Sequence, residues 1–95
     1  MYKPYMDIGA IPNQSDVVFV ITFEALPLDD LVYPEVVTVF KDFDSVEQHL
    51  KSHHVIRVGD LLTSDQDAET KDIKYIENIY EITVFDVITG KEIEV

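Results

Sequence analysis

Ninety-five residues with nineteen acids, seven bases and no cysteine leave room for one hydrophobic core and exclude disulfide staples, thiolate metal sites and thiol nucleophiles. A net charge of -12 repels DNA, RNA and anionic membranes and favours basic protein surfaces as partners. The apolar share of 46%, with ten aromatics, is well above that of chains kept unfolded by their charge, so a packed core is expected.

The N-terminus, Met1-Tyr2-Lys3-Pro4-Tyr5-Met6-Asp7, has no basic region leading into an apolar stretch, and the longest apolar run, Val17 to Ile21, is too short to cross a bilayer. A soluble protein kept in the cytoplasm is expected, with residues 1–15 as an arm that can be flexible. The segment Asp16 to Leu26 is β-branched and aromatic, and its alternate set Val17, Phe19, Ile21, Phe23 and Ala25 is wholly apolar. That pattern predicts a central strand. Pro27 and Pro34 bracket a loop containing Asp29 and Asp30, and Glu35 to Lys41 follows as a second strand, paired with the first as a long hairpin.

Asp44 with Glu47 three residues on has the spacing of a capping box, and Val46 with Leu50 is an apolar pair one turn apart. One short helix over about residues 45–53 is expected, with Asp44 as its N-cap. Val55 to Val58 resumes an extended pattern until Gly59. Thr63 to Thr70 has no apolar periodicity and is read as a mobile, exposed and acidic loop. In residues 71–78 the spacing of Ile73, Ile76 and Ile79 fits a helical turn or a strand extension equally well. The stretch from Ile79 to Ile88 alternates two largely apolar faces, which suits a strand in mid-sheet, and Thr89-Gly90 marks a tight hairpin into Lys91 to Val95. Residues 1–95 thus read as a single acidic α+β domain, a mostly antiparallel sheet of about 4–5 strands with one short helix packed on one face.

Chemistry-bearing clusters are few. His49 and His53 lie one helical turn apart, with His54 beside them, and two neutral imidazoles could share a zinc ion. Further ligands would have to come from Asp42, Asp44 or Asp60 through tertiary geometry the sequence does not supply. A solvated helix end, where protonated His53 or His54 meets the dipole, is the preferred reading. Ser45 and His49 are also a turn apart, yet lack an oriented third member and oxyanion donors. Gly9, Gly59 and Gly90 stand alone, so no phosphate-binding loop exists, and Asp65, Asp67 and Glu69 lack the central glycine of a calcium hand. No catalytic residue, metal site or cofactor is assigned, and no enzyme is expected.

The acids remain. Asp29 and Asp30, then Asp42, Asp44 and Glu47, then Asp60, Asp65, Asp67, Glu69 and Asp72 form three clusters within residues 29–72, a segment of eleven acids and four bases. Charge runs are usually no more than a solvated face, but carboxylates about 5 to 7 Å apart could also occupy a groove built for DNA phosphates. In size, charge, lack of cysteine and lack of catalytic motif the chain resembles, in composition, the phage-encoded antagonists of host defence (anti-restriction or anti-CRISPR types) or of transcription, some of which imitate DNA. That resemblance implies a non-enzymatic inhibitor or regulator, acting in the host cytoplasm on the basic surface of a nucleic-acid-binding protein without touching nucleic acid or membrane. The alternative is a structural or assembly protein that forms a homo-oligomer through apolar strands and an exposed edge, with Tyr2, Tyr5 and Met6 either as contacts or, at least equally, packed back on the core. A His-based metal protein ranks third.

Overall fold

A computed structural model describes residues 5, 6, 9, 11, 16–25 and 36–94. Asp29, Asp30 and the loop between Pro27 and Pro34 lie outside the described residues, as does Tyr2. Among those described, β1 (Val17–Glu24), β2 (Val36–Phe40), α1 (Phe43–Ser52), β3 (Ile56–Val58), β4 (Leu61–Thr63), β5 (Ile79–Asp86) and β6 (Glu92–Ile93) follow in chain order. All strand pairs are antiparallel, in the order β2-β1-β5-β4-β3, with β6 on the same edge of β5 as β4. The α+β architecture is therefore as expected, with six strands instead of four or five.

The alternation of β1 decides which face the helix covers. Val17, Phe19 and Ile21 are buried and join Val46 and Leu50 of α1, Leu62 of β4 and Tyr80 and Val84 of β5 in one core. Each large side chain fully buried there contributes about 1.5–3 kcal/mol. Across the ladder Phe19 stands opposite Phe40 and Val84, and Phe23 opposite Tyr80, whose rings approach to 4.8 Å. β5 lies in mid-sheet, bonded to β1 on one side and to β4 and β6 on the other. Val87 and Ile88, counted with its apolar faces, are instead exposed and belong to the turn after it. In that turn Gly90 adopts φ 72° and its N–H donates to Asp86 O at 2.8 Å, which is why glycine stands there.

Described residues of the arm are held against the core, Met6 among them. Tyr5 and Ile11 are buried in the same core, and the Tyr5 hydroxyl donates to Val55 O at 2.9 Å. Of the two readings of Tyr5, packing back on the core is the one realised. Burial, and then the Glu47 carboxylate, raises its phenol above the ordinary value, so the hydroxyl remains a donor.

The helix begins two residues earlier than its spacing suggests, and its cap is Asp42, not Asp44. The Asp42 carboxylate accepts from Ser45 N at 2.8 Å and from the Ser45 hydroxyl at 3.0 Å, while Asp44 sits in the first turn. Phe43 is the reason: it is buried and its ring packs 5.8 Å from Phe19, which draws the first turn onto the sheet. At the other end Val55 N donates to Leu50 O and His54 N to Lys51 O, both at 3.0 Å. These bonds form a Schellman cap with His54 at φ 58° in the left-handed position usually given to glycine.

Candidate functional site

Residues 64–78, between β4 and β5, form the acidic excursion of the fold. The expectation of a loose exposed loop over Thr63 to Thr70 is corrected in three respects. Thr63 is the last residue of β4 and is fully buried; Ala68 is buried too; and a 3-10 turn forms at Ala68–Thr70, while Gln66, Asp67, Glu69 and Thr70 are exposed as expected; beyond that stretch Ile76 is buried and a second 3-10 turn forms at Ile73–Tyr75. A periodicity count sees neither a three-residue strand nor isolated apolar anchors. Of the two readings of residues 71–78, the helical turn is the one realised.

Side-chain hydrogen bonds close the excursion at its base. The Thr63 hydroxyl donates to Glu77 O at 2.6 Å and accepts from Asp65 N at 2.9 Å, while Ser64 N donates to Asn78 O at 3.1 Å. Asp65 is the hub. Its carboxylate accepts from Asp67 N at 3.1 Å, from Glu77 N at 3.4 Å and from the Lys71 ammonium at 2.6 Å, and its side chain is 9% exposed. The hydrogen bond from Lys71 is the chief cause holding its carboxyl below the ordinary value, and the same contact raises Lys71. Gln66 fastens the excursion to the end of the helix, its amide donating to His54 O at 2.8 Å.

With Asp65 turned inward, the outward carboxylates are those of Asp67, Glu69, Asp72 and Glu77, all on exposed residues. Asp72 also accepts from Lys74 N at 3.3 Å. No ion pair among the described residues engages any of the four. The excursion's two bases are both occupied, Lys71 by Asp65 and Lys74 by the Tyr75 ring, 5.2 Å from its ammonium. Exposed among these acids are Ile73 and Tyr75. Glu77, Ile73 and Tyr75 escape a reading that selects acids by clustering; an isoleucine left outside by a spacing of three was the available signal.

The remaining acids do not join this surface. Asp42 and Asp44 stand at the start of α1, about 15 Å of helix away from the end that Gln66 grips. Glu47 pairs with Lys51 at 3.7 Å. Asp60, in the turn between β3 and β4, has a fully exposed side chain and meets Arg57 at 3.9 Å.

The histidines divide. The His49 and His53 rings meet at 4.6 Å between centroids, tilted by 55°, His49 also lies 5.3 Å from Phe40, and both line a cleft of about 290 Å³ beside Ile21, Phe23 and Tyr80. Burial first, and His53 second, holds the His49 imidazole below its ordinary value. His54 is part of the helix cap instead. Among the described residues no three His, Cys, Asp or Glu side chains stand together as a metal site. Ser45 turns its hydroxyl to Asp42 and not to His49. No described helix is long and apolar enough to cross a membrane. Comparison with protein-family models, with curated proteins and with solved structures finds no match.

Proposed function

We propose that the protein is a non-enzymatic acidic binding protein that inhibits or regulates a nucleic-acid-binding protein by occupying its basic surface. The observation that carries this reading is the company the outward acids keep. Asp67, Glu69, Asp72 and Glu77 share one hydrogen-bonded excursion with exposed Ile73 and Tyr75. Solvation alone calls for carboxylates but not for an exposed isoleucine and tyrosine among them. An aromatic anchor ringed by charge is the usual make-up of a protein-binding patch. The bonds around Thr63 and Asp65 favour binding further, because a surface already ordered loses less entropy on association.

A phage-encoded antagonist that takes the place of DNA is the specific form of this proposal. Its test is capture of partners from a bacterial lysate on the immobilised protein, with duplex DNA as competitor. The expected result is a basic nucleic-acid-binding partner that DNA and salt both release. D67N/E69Q/D72N should retain much less of it, and Tyr75→Ala should weaken retention without changing any charge. Capture indifferent to DNA, salt and the triple variant would overturn the proposal.

A further inference from the structure

Three strand edges are open among the described residues, and they are not alike. β3 has three residues and includes Arg57; β6 has two and includes Glu92. Short length and charge are the ordinary protections of an edge against pairing with another chain. β2, at the end of the strand order, has neither: its five residues Val36-Val37-Thr38-Val39-Phe40 bear no charge in a protein of net charge -12. Val37 and Val39 are 58% and 57% exposed, on the sheet face opposite the helix.

We infer that β2 pairs antiparallel with β2 of a second copy of this chain, joining two sheets across a two-fold axis at Thr38. The strand is self-complementary about that residue. Thr38 meets Thr38, Val37 of one copy lies opposite Val39 of the other on the uncovered face, and Val36 lies opposite Phe40 on the helix side. Within the described strand the paired positions are therefore all uncharged, and no like charges oppose each other across the axis. Centring on a residue also suits either hydrogen-bond phase of an antiparallel ladder, since Thr38 pairs with itself in a bonded or a non-bonded site. A two-fold contact of this kind closes on itself and ends at the dimer. It uses residues apart from the acidic excursion, so it stands or falls separately from the binding reading.

The test is the mass in solution by light scattering at tens of micromolar. The 10.9 kDa chain is expected to run at twice its monomer mass. V37K/V39K, which sets lysine against lysine across the axis, should halve that mass while leaving the far-ultraviolet circular dichroism unchanged. V37E/V39K, which sets glutamate against lysine in this register alone, should restore the dimer. A wild-type monomer would overturn the inference and leave the edge to a different partner strand. A dimer untouched by V37K/V39K, or a folded V37E/V39K that stays monomeric, would overturn it equally.

Discussion

Asp65 and Asp67 are two residues apart, equally acidic, and opposite in role. Asp65 receives two backbone N–H groups and Lys71 within the fold, whereas Asp67 points its carboxylate outward. Asp65→Asn is expected to lower stability by about 1 to 2 kcal/mol in urea unfolding, and Asp67→Asn to leave it within about 0.5 kcal/mol. The pH dependence follows from the Asp65 carboxyl being held below its ordinary value. Its stabilisation is fully present above the unfolded value near 3.9 and is lost as pH falls through the lower folded value, so wild type should lose more stability on acidification below about pH 4 than Asp65→Asn does. His54 invites the reverse experiment: its left-handed backbone at φ 58° is unfavourable for an L side chain, and His54→Gly should stabilise the protein by about 1 kcal/mol. A loss of stability would contradict the cap geometry. Neither role was legible in the sequence, where all carboxylates look alike and the cap was assigned to Asp44. Which aspartate caps depended on where Phe43 found room against Phe19.

At the scale of elements, strength of pattern separates what could be read in advance from what could not. β1, β2, β5, the helix and the Gly90 turn carry alternation, an i, i+4 apolar pair or a required positive φ, and each appears within a few residues of its expected place. β4 has three residues and no room for a period. The excursion is built from Thr63, Asp65, Ala68 and Ile76, single anchors whose partners lie up to fourteen residues away. Beside Asp65, the buried Thr63 hydroxyl ties its two ends together. Thr63→Val keeps the shape but leaves Asp65 N and Glu77 O without that partner, an expected loss of about 1 to 3 kcal/mol. Amide exchange within residues 64–78 should quicken more than in β1 or β5. Unchanged exchange there would show that the excursion does not depend on Thr63.

Across the whole molecule the charge is spread unevenly over the surface. The sequence placed ten acids in three clusters as one partner surface; the structure separates the helix start from the excursion, turns Asp65 inward and adds Glu77. Strand order was not readable from local pattern, and with it went the contrast between the uncharged β2 edge and the short, charged β3 and β6 edges. The central claim is that the excursion engages a basic partner through charge. Its most direct measurement is the affinity of the captured partner for wild type and for D67N/E69Q/D72N, from about 50 to about 500 mM salt, over which the Debye length shrinks from roughly 14 to roughly 4 Å. Wild-type affinity should fall about tenfold or more over that range, and the triple variant should start weaker and fall less steeply. Equal affinities with equal salt dependence would contradict the account.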